Sequence, residues 1–357
     1  MVKRSWSMKS ILYENAYLPA YRSQSLPRPR MNTSRLLALF LLATVLSLAG
    51  CGVRSDVTTI KLGHGLDPTH PVHQAMEFMA RRVAEKSGGT MRIDIYPSQQ
   101  LGSERQLLEL LQLGSLGMTK VAAAVLEGFA PSFQVLSLPY LFRDEAHRFK
   151  VLEGEVGQEL LLAGHEYWLH GLAYYDAGSR SFYSKDRPIQ TPDDLVGLKV
   201  RTLESATQIQ MVNTLGGSAT PISWGELYTA LQQGVVDAAE NNPPSFYTSR
   251  HYEVCKYYAL DEHTGIPDVL LISTRIWDTL TPTQQQWLTE AARESAQHQK
   301  ILWKEATDEA LREVQAAGVE VTYPDKTLFS DKVTPIYEAY RDQPDLYALI
   351  QRIRAIE

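Results

Sequence analysis

The chain has 357 residues, enough for one large or two ordinary domains. Its hydrophobic fraction of 44% and charged fraction of 21% are those of a soluble globular protein. The net charge of −6 argues against a nucleic-acid partner, and two cysteines, Cys51 and Cys255, allow one bridge at most rather than a disulfide framework.

The first informative segment is Leu36 to Leu48, an almost unbroken apolar run preceded by Arg35. It is too short for an ordinary spanning helix. A positive flank, an apolar core and small residues at the end describe a secretory signal. Its last residues, Leu48-Ala49-Gly50-Cys51, resemble a bacterial lipobox, which makes Cys51 the expected lipidation site and the first residue of a membrane-anchored mature chain. Residues 1–30 are polar, proline-dotted and irregular, whereas Met31-Asn32-Thr33-Ser34-Arg35 makes a normal signal start. Translation is therefore expected to begin at Met31, with 1–30 an artefact of the assigned start, 31–50 the signal and 51–57 a tether. Seven basic residues and one acid fall in 1–50, so the mature chain carries about −12. An anionic ligand would need a local cationic site working against that field.

From residue 58 strands and helices alternate. Thr58–Gly63 reads as a strand; His73–Lys86 follows with apolar residues at helical spacing and stops at Gly88-Gly89. Met91–Tyr96 alternates strictly, as a half-buried strand does. Ser103 caps a helix carrying Leu107, Leu108, Leu110 and Leu111 that ends at Gly114, and Leu116–Ala124 is the next strand. Later, Thr191-Pro192-Asp193-Asp194 has the cap, proline and acids of a helix start. Strand 198–202, helices 206–215 and 223–233 and strand 235–239 follow. Such βα alternation predicts an α/β fold with largely parallel sheets. Thr281-Pro282 opens a helical pattern running to about Ala317, on the order of 50 Å long, which is long enough to bridge two domains. Strand 319–323 and one or two helices complete the chain.

Open α/β sheets bind ligands beyond the carboxyl ends of their strands. Three segments put polar groups at such places: Gly178-Ser179-Arg180, Lys199-Val200-Arg201 and Asp237-Ala238-Ala239-Glu240-Asn241-Asn242. A guanidinium fork takes both oxygens of one carboxylate, so two arginines and an amide meeting in one cleft would orient a monoanion. Each arginine taken alone reads more simply as a surface ion pair.

As an ordered set, several segments resemble the solute-binding subunits of tripartite ATP-independent periplasmic (TRAP) transporters. They are Tyr96-Pro97-Ser98-Gln99-Gln100-Leu101-Gly102, Leu138-Pro139-Tyr140-Leu141-Phe142, Thr191-Pro192-Asp193-Asp194-Leu195, Gly197-Leu198-Lys199-Val200-Arg201 and the run from Glu226 to Asp237. The resemblance covers essentially all of 58–355. It implies two α/β lobes around a cleft, as in periplasmic binding proteins, with one long helix shared by both. The expected division is 58–177 plus 267–305 for lobe I and 178–266 plus 306–357 for lobe II, with hinges near 177–180, 265–268 and within the long helix. It further implies a periplasmic receptor for a small organic acid, working with a small and a large membrane subunit and needing no cofactor. Arg201 takes the position of the main ligand-carboxylate anchor, Arg180 that of its support, Asn241 that of the closing amide, and Trp224 that of an aromatic packing on the ligand.

Ligand identity rests on the first lobe. Lys120 is a lone cation in an apolar strand; lysine is rarely buried unpaired, so it must reach a strand end or meet an anion or hydroxyl. The pattern of His64, Asp67, His70, His73, Lys120 and Glu127 resembles members that bind hexuronates such as glucuronate or galacturonate, with Asn242 and Asp268 as further candidate contacts. Four-carbon dicarboxylates and 2-oxo acids are the alternative ligands. The histidine spacing fits no zinc pattern, so no metal is expected; Glu240 and Asp268 are the places where the resemblance leaves room for a cation. The competing class is a secreted hydrolase, which needs a nucleophile with a base. The sequence has no Gly-x-Ser-x-Gly elbow and no His-Glu-x-x-His, and no enzymatic activity is expected.

Overall fold

A computed structural model describes residues 57–357. The extension 1–30, the signal 31–50, Cys51 and the tether up to residue 56 lie outside the described residues. Eleven strands form two sheets among those described: β1 (Thr58–Gly63), β2 (Met91–Tyr96), β3 (Met118–Ala122), β4 (Leu169–Tyr175), β5 (Arg180–Ser184), β6 (Lys199–Thr202), β7 (Ser218–Pro221), β8 (Ala238–Asn241), β9 (Tyr257–Thr264), β10 (Asp268–Ser273) and β11 (Glu320–Thr322). The first sheet has the order β2-β1-β3-β10-β4 and the second β11-β9-β5-β8-β6-β7.

The sheets are mixed rather than largely parallel. The βα units that were legible in sequence do pair in parallel, as β1 does with β2 and β3, and β6 with β7 and β8. The antiparallel pairs are β10 with β3 and β4, and β5 with β8 and β9. These are the strands that carry the chain from one sheet to the other, β4 into β5 and β9 into β10. A strand arriving from the opposite sheet enters from the cleft and so runs against its new neighbours.

Helices flank the two sheets, among them α1 (Pro71–Lys86), α2 (Glu104–Leu113), α3 (Ala206–Leu215), α4 (Trp224–Gln233), α5 (Pro243–Thr248), α6 (Pro282–Ala316) and α7 (Pro344–Ala355). Ser103 and Gln106 form a capping box at α2, whose C-terminus is closed by Gly114 in the left-handed region. Thr281 and Gln284 do the same at the start of α6.

The 35-residue α6 is the bridging helix. Its Leu288, Ala291 and Ala292 share a core with α1 and the first sheet, whereas Val314 sits in the core of the second sheet with Tyr183, Leu231 and Tyr258. Midway, Gln299 accepts from Asp176 N at 2.9 Å and donates to Asp176 O at 2.7 Å, pinning the β4–β5 crossover. The crossover turns at Gly178, whose φ of +58° lies in the left-handed region; a Cβ there would meet Trp303 Nε1 of α6 at 3.0 Å.

The terminal helix α7 corrects the expectation that all of 306–357 joins lobe II. Its buried Leu349, Ile350 and Ile353 pack into a core with Leu160 and Leu161. Arg352 pairs with Glu159, and His147 meets Ile353 O at 3.0 Å. The apolar stripe of α7 thus finds its complement on the helices flanking the first sheet.

Candidate ligand-binding site

One cavity lies between the two sheets, at the ends of β3, β6 and β8. It is lined by Arg180, Arg201, Trp224, Asn241 and Asn242 from the second sheet and its helices, and by Lys120, Ala122, Glu104 and Asp268 from the first. Gly65, His70, Ser103, Glu204 and Ser245 also reach it. Of the residues expected from sequence, His64, Asp67, His73 and Glu127 do not line the cavity; Asp67 instead accepts from Thr69 N at 2.9 Å.

Arg201 is the third residue of β6 and is 1% exposed. Its Nε donates to Ile222 O at 2.9 Å. Its Nη1 is buried with no hydrogen-bond partner, and no carboxylate among the described residues pairs with it. Trp224, the first residue of α4, places its ring 5.7 Å from the guanidinium carbon. Burial, and then the charge of Arg180, push the Arg201 pKa down, with Glu240 offsetting only in part. A buried guanidinium without an anion is costly unless a partner compensates it.

Arg180 is arranged differently. Its Nε and Nη2 donate to the two oxygens of Glu240 at 2.5 and 2.8 Å, Nη2 also donates to Glu240 O at 2.9 Å, and Nη1 donates to Asn241 Oδ1 at 2.9 Å. One Nη1 hydrogen remains. Glu240 in turn meets His263 Nε2 at 3.5 Å, and His263 Nδ1 meets Asp261 Oδ2 at 2.8 Å. Burial opposes the charge on Glu240, but Arg180 and His263 outweigh it and hold its pKa down at about 2. Burial likewise opposes charge on His263, and Asp261 and Glu240 hold its pKa up at about 9. Both oxygens of Glu240 thus accept from Arg180, and Asp268 faces Lys120. The place reserved for a cation at Glu240 and Asp268 is taken by side-chain positive charge.

Lys120 meets its anions as its burial requires. Its Nζ lies 3.3 Å from Glu104 Oε1 and 3.1 Å from Asp268 Oδ2. Burial opposes its charge, and Asp268 and Glu104 together raise its pKa. Asp268 also has a raised pKa, first from burial and then in spite of Lys120 because Glu104 lies close.

His64, His73 and Glu127 lie elsewhere than the sequence suggests. His64 Nε2 and His73 Nδ1 lie 3.0 Å apart, and both rings are buried without lining the cavity. His64 Nδ1 accepts from Leu66 N, so the pair shapes the β1–α1 loop. Glu127 lies outside the cavity and accepts from Thr207 N at 3.2 Å at the N-terminus of α3, where the helix dipole favours a carboxylate. His70 is the histidine that reaches the cavity. It caps α1 through Val72 N, and its Nε2 meets Ser245 Oγ of α5 at 3.1 Å, linking the two sides of the cleft. Glu104 and Ser245 escaped sequence reading because an acid after a helix cap and a serine in the first turn of a short helix are common in purely structural roles. The available signal for Glu104 was the unpaired Lys120.

The chain matches the family described as "Bacterial extracellular solute-binding protein, family 7" over residues 62–343. It is similar to the C4-dicarboxylate-binding periplasmic protein of Rhodobacter capsulatus, with 31% identity over 86% of this chain and 94% of that one. Among solved structures it is similar to a TRAP periplasmic solute-binding protein of Bradyrhizobium in complex with galacturonate, at 38% identity and a TM-score of 0.81, covering 83% of this chain and 99% of that one. A TRAP periplasmic solute-binding protein of Roseobacter denitrificans with bound β-D-glucuronate superposes with a TM-score of 0.82 at 35% identity, covering 84% of this chain and 100% of that one.

Proposed function

We propose, since this chain belongs to the bacterial extracellular solute-binding proteins of family 7, that the solute it receives is a hexuronate such as glucuronate or galacturonate. The chain is a periplasmic solute receptor of the TRAP type, and such receptors bind small acids and work with membrane permease subunits. The observation that carries the ligand reading is Arg201: a buried guanidinium with an unpartnered Nη1, beside an aromatic face, in a cavity that also offers acids, amides and an ammonium. In this reading Arg201 takes the ligand carboxylate as a bidentate pair. Arg180, held by Glu240, contributes its remaining hydrogen and a fixed positive field. Asn241, Asn242 and Trp224 close the same end, and Lys120 and Asp268 meet the hydroxyls. The Bradyrhizobium and Roseobacter neighbours, whose bound ligands are hexuronates, support the choice.

Binding proceeds by closure of lobe I (58–177 with 267–305) on lobe II, which holds 178–266 and the end of α6, about hinges at 177–180, 265–268 and within α6. Closure removes water from the carboxylate and strengthens the Arg201 pair. The closed form is then the one delivered to the permease, with no chemical turnover of the solute. Lipidation of Cys51 anchors the receptor to the membrane.

A thermal-shift screen of the purified protein over hexuronates, four-carbon dicarboxylates and 2-oxo acids tests the reading, because a ligand that binds only the folded state raises its stability. Glucuronate or galacturonate is expected to give the largest shift. A larger shift with a four-carbon dicarboxylate, the solute named for the Rhodobacter relative, would replace the hexuronate reading. Release of a new product from any of these acids would replace the receptor reading by an enzymatic one.

A further inference from the structure

The two ends of the cavity differ in charge. At the second-sheet end, the Arg180–Glu240 and His263–Asp261 pairs are internally balanced, and Arg201 adds one positive charge without a counter-ion among the described residues. At the first-sheet end, one ammonium, Lys120, stands between two carboxylates, Glu104 and Asp268, so that end is left with one negative charge. All three groups line the cavity and are largely buried, with side-chain exposures of 3% for Lys120, 14% for Glu104 and 11% for Asp268. Glu204, a further acid of the lining, is solvent-exposed and screened.

We propose that Glu104 and Asp268 set the substrate class: they accept hydroxyl protons of a polyhydroxylated monocarboxylate and repel the second carboxylate of a dicarboxylic acid. This rests on the reading of Arg201 as the carboxylate anchor. A carboxylate is an acceptor only, so it pairs with a sugar hydroxyl, which donates, and has nothing to offer another carboxylate. Two like charges at about 4 Å in a partly dry site repel strongly enough to dominate ligand choice. Lys120 has two of its donor directions engaged by the acids, which keeps it from serving as a second carboxylate anchor. Glu104 is the first residue of α2; its Oε2 accepts from Ala122 N at 3.4 Å and its Oε1 meets Lys120 Nζ, so its position is fixed from two sides.

The test is calorimetric titration of the exported protein with glucuronate and with succinate, in wild type, Glu104→Gln, Asp268→Asn, the double variant and Arg201→Met. Wild type is expected to prefer glucuronate by at least about 100-fold, Glu104→Gln and Asp268→Asn each to reduce that preference by at least about tenfold, and the double variant to prefer succinate. Each single variant is isosteric and is measured as a separate protein, so one of them failing to fold leaves the other as the measurement. Unchanged preference in the folded single variants overturns this inference while leaving the anchor reading intact. A wild type that binds succinate as tightly as glucuronate overturns it too. Arg201→Met is expected to lose both acids; if it binds glucuronate as wild type does, the anchor reading itself falls and the charge argument falls with it.

Discussion

Glu240 grips Arg180 through two parallel N–H bonds at 2.5 and 2.8 Å, while Arg201, on the other side of β8, meets no such carboxylate among the described residues. The two arginines share one cavity and differ in what their removal leaves behind. Arg201→Ala is expected to weaken acid binding by about 2–5 kcal/mol, roughly 30- to several-thousand-fold, with little loss of stability in the ligand-free protein. Arg180→Ala is expected to destabilise the fold by about 3–5 kcal/mol, because Glu240 is left buried without its partner. Denaturant titration and calorimetry on both variants separate the two; equal destabilisation would contradict the division.

Acid should loosen the protein through its buried neutral histidines. Burial first, and the Lys120 charge next, hold the pKa of His64 down at about 2 and of His70 at about 3. Above the ordinary value of about 6.5 both states are neutral and the stability is intact. Below it the unfolded chain takes up protons that the folded chain refuses, so stability falls toward pH 3, at up to about 1.4 kcal/mol per pH unit for each histidine. His70→Gln is expected to give a shallower fall between pH 7 and pH 5 in denaturant midpoints, and a slope equal to wild type would refute the assignment.

Cys255 is a free thiol with no exposed surface, and burial pushes its pKa up to about 12. It should resist aromatic disulfide reagents at pH 8 in the native protein and react in full once the chain is unfolded in guanidinium. Rapid modification under native conditions would place it elsewhere.

The turn at Gly178 carries the crossover beneath Trp303. Gly178→Ala is expected to lose about 1–3 kcal/mol, from the left-handed backbone and from the contact with the indole nitrogen. Thermal denaturation measures this directly; an unchanged melting temperature would show that the crossover tolerates a side chain.

How much was legible depended on range. Helix caps are local, so Ser103, Thr281 and the bridging helix could be read from neighbouring residues, and α6 was found within a residue of its predicted ends. The two antiparallel crossovers could not, because the sense of β5 and β10 is decided by the sheet each strand joins. The fate of α7 was equally distant: its apolar stripe was visible, but only the folded chain brought Arg352 to Glu159 and His147 to Ile353 O.

The site divides in the same way. Residue types at strand ends, taken with the ordered family segments, were enough to bring Arg180, Arg201, Asn241 and Lys120 forward, since a guanidinium or ammonium in an apolar strand demands a partner wherever the chain goes. Which partner each one has was decided by tertiary structure alone. Arg180 and Glu240 are 60 residues apart, and Asp268 is farther still from Lys120. Likewise only the folded loop before α1 could turn His70 toward the cavity and pair His64 with His73. Charge at a position belongs to the sequence; whether that charge is already neutralised depends on which distant side chains the fold brings within 3 Å of it, and that difference separates Arg201 from Arg180.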